Sequence, residues 1–249
     1  MTSDLNLLAP AQVAALIAPT VDRLRLAVSR SMRVAAGQVA ASYGLDPQVG
    51  ALIAMVRNIA PDREVTREDV SAIYVYQSPS IPQLAIAGAV EARLLDEPDD
   101  KRLCLTDRGL SMVTELNAIG DASAREMWGA SDRIAELASL ARVVARAAES
   151  DGGATVSVMA PPFEPDGASD AALLAERLTV LRFHRFDAHV AAWRAARLTA
   201  EQIRTIGPGP GRDAIEADTN RRAGTPYRAL SAAERLALLA GLGSLNGQV

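Results

Sequence analysis

A mainly α fold carrying one small β-hairpin is what this 249-residue sequence predicts, and three observations predict it. Hydrophobic residues make up 49% of the chain but aromatic ones only 4%, so the core has to be built from Ala, Leu, Val and Ile, a composition that favours helices. Apolar residues recur at helical spacing along most of the chain, in two stretches at close to heptad intervals. Alternation with a period of two is confined to short segments on either side of Pro98.

The bulk numbers narrow the function classes. A formal net charge of -4 gives no overall attraction to nucleic acid and leaves any such binding to a local patch. The single cysteine, Cys104, excludes an internal disulfide and a Cys-based metal cluster, and its place in an alternating segment marks it as a strand residue. The first residues hold no basic region followed by an apolar core, and no apolar run has membrane-spanning length, so a soluble, cytoplasmic protein is expected. Neither a metal nor a cofactor is expected.

In chain order, residues 11–18 form a short helical segment that Pro19 interrupts. Thr20 then caps a longer helix in which Val21, Leu24, Val28, Met32 and Ala35 form a seam, and Gly44 stops it. Residues 51–59 are apolar on most sides, as in a helix at the middle of a small bundle. Thr66 with Asp69 three positions on can cap a helix over 67–76. Gln77-Ser78-Pro79-Ser80 is turn chemistry, and a second helix over 81–93 begins with Pro82 in its first turn. Residues 93–96 and 102–106 alternate around Glu97-Pro98-Asp99-Asp100, a type I turn sequence. Two short helices joined by a tight turn and followed by a hairpin make a winged helix-turn-helix.

Thr106 caps the next helix, which bends at Gly120-Asp121. Ile134, Leu137, Ala141, Val144 and Ala148 give the second heptad-like seam, ending at Ser150-Asp151-Gly152-Gly153. The two seams can pair with a second copy of the chain or with each other. Residues 151–168, rich in Gly and Pro, read as a linker with 155–159 as a short strand or extended connection. The expected division is therefore a winged-helix domain with flanking dimerisation helices over 1–150, a linker over 151–168, and a helical C-terminal domain over 169–249. In that last third, Thr199 with Gln202 and Ser231 with Glu234 are capping boxes that fix two helix starts. Gly207-Pro-Gly-Pro-Gly211 is a stiff turn, because its prolines remove the amide donors a phosphate loop needs. Residues 212–223 form a charged helix from which Glu216 or Asp218 can reach a neighbouring helix.

The stretch Glu91-Ala-Arg-Leu-Leu95, Pro98-Asp-Asp-Lys-Arg102 and Leu105-Thr-Asp-Arg-Gly109 resembles the wing region of MarR-type transcription regulators, over about residues 46–116. That resemblance implies a homodimer that binds double-stranded DNA. The second helix would lie in the major groove and offer Ser78, Ser80, Gln83 and Arg93, with Lys101 and Arg102 on the wing. The start of that helix carries no Lys or Arg before Arg93, a departure from what phosphate contacts require.

Both histidines of the chain lie in His184-Arg185-Phe186-Asp187-Ala188-His189. Phe183, Phe186, Val190 and Trp193 fall on one face of a helix at roughly 100° per residue. His184 and Asp187 are then neighbours, while His189 neighbours Arg185 and Trp193, so one metal ion is not easily held by all three. This is a polar site beside an aromatic wall, in which Asp187 orients His184 and either histidine carries a proton or binds a ligand. The other meaning of the same spacing is a set of half-buried groups satisfied by neighbouring helices. The stretch, with Trp193, Leu198-Thr199 and residues 215–221, also resembles the actinobacterial SalK-like helix-turn-helix family, over about residues 171–242. Members of that family often show His-Arg-x-Asp-x-His with glycines at the variable places, here Phe186 and Ala188. The resemblance implies a module with a site at His184, Arg185, Asp187 and His189, and names no reaction.

The expectation is thus a ligand-responsive DNA-binding transcription regulator. Its small-molecule site would comprise His184, Arg185, Phe186, Asp187, His189 and Trp193. The alternative is an enzyme or small-molecule-binding protein that keeps the winged helix as scaffold, with His184, Asp187 and His189 in the pocket and His184 with Asp187 acting as acid or base. A purely structural dimerisation module would bind neither ligand nor DNA.

Overall fold

The computed structural model describes residues 8–45, 56–57, 65–98 and 102–247, and the chain is mainly helical with one three-stranded antiparallel sheet. All but residues 56–57 of the helix expected over residues 51–59, half of the 97–100 turn, and Lys101 lie outside the described residues. Among the described residues no helix is long and apolar enough to cross a membrane.

Helix α1, Pro10–Ser31, runs straight through Pro19. A mid-helix proline costs about 3 kcal/mol. Here it lies on the exposed side, while Val13, Ile17, Val21, Leu24 and Val28 on the other side are buried and hold the helix continuous across it. Helix α2, Arg33–Ser42, follows after Met32 and is stopped by Gly44 at φ 73, where the Leu45 amide closes back on the Ala40 carbonyl.

Strand β1, Val65–Thr66, leads into α3, Arg67–Ile73, through the expected capping box of Thr66 and Asp69. The helix stops three residues earlier than its pattern suggests, and residues 74–79 turn into α4, Ser80–Glu91. Strands β2, Leu95–Asp96, and β3, Arg102–Leu105, pair antiparallel with Leu95 opposite Leu105 and Cys104 opposite Asp96. On its other edge β3 pairs with β1, giving the order β1-β3-β2; a two-residue strand leaves no readable alternation, so β1 was not foreseeable.

Thr106 caps α5, Asp107–Trp128, by accepting from the Gly109 amide. Gly109 is required there, since a Cβ would lie 2.0 Å from the Leu94 carbonyl oxygen. The bend expected at Gly120-Asp121 does not occur; α5 continues and presents buried Gly120 to the Met32 and Arg57 side chains. Then come α6, Ile134–Asp151, and α7, Ala154–Met159. This last is a helix where an extended connection was expected, and Thr155, Val156, Val158 and Met159 are buried in it. The C-terminal third holds α8, Asp170–Ala195, capped by Ser169, and α9, Ala200–Thr205, in the Thr199 capping box. After these lie α10, Pro210–Ala223, a 3-10 turn over Thr225–Ala229, and α11, Ala232–Asn246, in the Ser231 capping box.

Helix α8 is the axis of the molecule, with α6, α10, α1, α7 and α5 all packed on it. Both heptad-like seams are covered within one chain: Val21, Leu24 and Val28 of α1 share a core with Leu137, Ala141, Val144 and Ala148 of α6 and with Leu174 and Leu178 of α8. That core draws on helices from both sides of residues 151–168. A second core lies under the sheet, α3, α4 and the first half of α5, with Val158 of α7 inserted. A third, small one joins Val190 and Trp193 of α8 to Ile203 and Ile215, with Val75 and Tyr76 of the α3–α4 turn against it.

Candidate functional site

The site is built on the middle of α8. Its aromatic stripe forms as the spacing requires, but the wall is completed by a residue far away in sequence. The Tyr76 ring stands edge-on to Phe186, centroids 5.1 Å apart at 84°, and its hydroxyl reaches both Trp193 Nε1 at 2.8 Å and His189 Nδ1 at 2.6 Å. The backbone at Tyr76 is fixed as well, since Arg204 of α9 donates to its carbonyl at 2.8 Å. Burial pushes the Tyr76 hydroxyl up from its ordinary value, against the Trp193 N–H that favours the ionised form.

On its other side the His189 ring faces α10, with Nε2 3.9 Å from Glu216 Oε1. Arg185 donates to Asn220 at 2.7 Å and to Glu216 at 3.3 Å. Of the two acidic candidates on that charged helix, Glu216 faces His189, while Asp218 is held by Arg221 and Arg222. Desolvation lowers the pKa of His189; Glu216 opposes this, and Arg185 and Arg212 reinforce it.

His184 is only 5% exposed. Its Nε2 lies 3.6 Å from Asp151 Oδ2, within ion-pair distance and beyond a good hydrogen bond. Burial lowers its pKa, with Asp151 and then Asp187 acting the other way. The expected orienting role of Asp187 gives way to another: its two oxygens accept the amides of Thr155 and Val156 at 3.2 and 2.9 Å, capping α7. Gly153 permits the approach, since a Cβ there would sit 2.9 Å from Asp187 Cγ. The carboxylate nearest His184 is therefore Asp151, at the end of α6.

Two cavities open beside these groups. One of about 240 Å³ lies between α1, α6, α8 and α10, with Ala14, Ile17 and Ala18 on its apolar side and His184, His189 and Glu216 on its polar side. The other, about 300 Å³, lies across His184 and is bordered by Asp151, Asp187, Arg221 and Arg222. His184 lines both. Among the described residues no three His, Cys, Asp or Glu side chains are grouped so as to hold a metal ion.

The residues expected to face DNA lie on the α3–α4 turn, α4 and the hairpin that follows it. Ser78 and Ser80 are exposed and bonded to each other at 2.9 Å. Gln83 accepts from Arg67 at 2.9 Å, and Arg67 is in turn paired with Glu97. Arg93 is exposed in the left-handed conformation, φ 55, and Arg102 is exposed on β3. The outward face of α4 presents Ser80, Gln83, Leu84, Ala87 and Glu91, with no cation.

Sequence reasoning missed Tyr76, Asp151 and Asn220. Nothing local marks Tyr76, whereas Gly152-Gly153 at the end of α6 is a signal that backbone and side chain come close there. Neither a protein-family model, nor a curated protein, nor a solved structure matches the chain.

Proposed function

We propose that the chain is a ligand-responsive winged helix-turn-helix protein in which a small molecule, held beside His184 and His189, alters the DNA affinity of α3 and α4. The order of a short strand, two short helices joined by a turn, and a hairpin supports the winged-helix reading. The likeness of the wing to MarR-type regulators and of the histidine stretch to the SalK-like family agrees with it. One observation carries the link: the His189 ring lines the cavity by one edge and holds the Tyr76 hydroxyl of the α3–α4 turn by the other. A ligand that prefers one position of His189 thereby prefers one position of the turn, which is the differential affinity that coupling requires. The proposal includes a homodimer, the arrangement that presents two recognition helices to one face of duplex DNA.

The test is fluorescence anisotropy with DNA from upstream of the chain's own gene, against scrambled DNA, across a salt series. Specific binding whose affinity falls as salt rises supports a regulator. No binding even at low salt sinks it.

A second reading, an enzyme or binding protein with the winged helix as scaffold, is favoured by the outward face of α4, which carries Glu91 and no cation. There His184, with Asp151 or Asp187, would act on a substrate in one of the two cavities. Replacing His184, which does not touch Tyr76, with Gln leaves ligand-free DNA binding intact under the first reading and abolishes turnover under the second.

A further inference from the structure

The hydrogen-bond chain at His189 narrows the chemistry of what the 240 Å³ cavity accepts. Trp193 Nε1 is a donor only, so in its 2.8 Å contact the Tyr76 oxygen is the acceptor. The single hydroxyl hydrogen of Tyr76 is then left for His189 Nδ1 at 2.6 Å. A neutral imidazole that accepts at Nδ1 carries its proton at Nε2. That N–H faces Glu216 Oε1 at 3.9 Å, too far for a hydrogen bond, and both groups line the cavity. An oxygen placed about 2.8 Å from each would accept from the first and donate to the second. A ketone or ether lacks the hydrogen for Glu216, an ammonium lacks the lone pair for His189, and a carboxylate would be repelled by Glu216.

The lining has no net charge to hold an ion. Asp22 is paired with Arg182 at 2.7 Å and Glu216 with Arg185 at 3.3 Å. Water offers the same two hydrogen bonds, so a ligand has to bring an apolar body as well, and Ala14, Ile17 and Ala18 of α1 provide the surface for it. A cavity of about 150 Å³ holds benzene, so this larger one suits one or two rings.

We infer that the cavity binds an uncharged molecule of one or two rings bearing a hydroxyl group, which bridges His189 and Glu216; the inference rests on the ligand-binding reading above. The experiment titrates 2-naphthol, naphthalene and 2-naphthoate into the full chain and follows naphthyl fluorescence. Expected is 2-naphthol about tenfold tighter than naphthalene, the effect of one hydrogen bond to a charged acceptor, with 2-naphthoate weaker than both. Glu216→Ala removes most of the preference for 2-naphthol over naphthalene, leaving the part owed to the His189 N–H, and the milder Glu216→Gln reduces it less. Ala18→Phe, which fills the apolar end from a half-buried position, abolishes binding of all probes while the far-ultraviolet circular dichroism is unchanged. If naphthalene binds as well as 2-naphthol, or 2-naphthoate binds best, in a way Ala18→Phe removes, the ligand class is wrong and the binding site stands. If no probe binds to the folded protein, both this inference and the reading beneath it fall.

Discussion

A carboxylate at the start of a helix accepts amides that no intrahelical carbonyl can reach, and Asp187 does this for α7 across the interface with α8. Asp187→Ala should therefore lower stability by about 1–2 kcal/mol in urea denaturation, with Asp187→Asn losing less because an amide oxygen still accepts one N–H. Gly153→Ala should reproduce the loss by pushing the carboxylate away. Were Asp187 only a proton-relay partner of His184, all three variants would unfold at the wild-type midpoint. The histidines make a second prediction at this scale. Burial holds both below their ordinary value of 6.5, so as the pH falls through 6.5 the unfolded chain takes up protons that the folded chain refuses. The unfolded state then binds more protons, and stability that is complete above 6.5 is lost progressively below it. A double His184→Gln, His189→Gln variant should show a flatter urea midpoint from roughly pH 7 to pH 5. Equal slopes for the two proteins would mean the imidazoles are not held neutral by the fold.

At the scale of elements, the meeting of α6 and α11 is set by one missing side chain. A Cβ on Gly241 would lie 2.4 Å from a methyl of Leu137, which is fully buried in the core. Alanine normally stabilises a helix over glycine by about 1 kcal/mol, and overpacking costs about 1–3 kcal/mol. Gly241→Ala should therefore destabilise, whereas Gly243→Ala, two residues on in the same helix with open space around it, should stabilise by up to about 1 kcal/mol. If both raise the urea midpoint, the helices are not in contact at Leu137. The same contrast between local and tertiary control explains what could be read in advance. The caps at Thr66, Thr106, Thr199 and Ser231 are local hydrogen bonds between residues three apart, and the sequence displays them in full. Pro19 and Gly120 are locally helix-breaking, yet both helices continue because partners distant in sequence bury the flanking residues. Ala154–Met159 looks extended from its β-branched residues, and its helix depends on a cap that comes from Asp187.

At the scale of the molecule, α8 joins the core that buries both seams to the turn between α3 and α4, and Tyr76 is the point of attachment. No periodicity could reveal that contact, because it is made between residues more than a hundred positions apart in the chain; the aromatic stripe of α8 was legible, and its partner was not. Tyr76→Phe keeps the ring against Phe186 and removes only the hydroxyl, leaving the N–H of Trp193 and Nδ1 of His189 to find other partners. Each polar group so stranded costs about 1–3 kcal/mol. Because the loss falls at the attachment and not in the main core, it should appear as faster amide hydrogen exchange in residues 74–79 with protection in α11 unchanged. It should also separate the two ends of the molecule functionally: 2-naphthol would still enter the cavity, but any change it makes in DNA anisotropy with the wild-type chain would shrink. Unchanged exchange in the turn would show that the Arg204 bond to the Tyr76 carbonyl and the packing of Val75 hold it without the hydroxyl. In that event the path from cavity to helix pair would have to run elsewhere along α8.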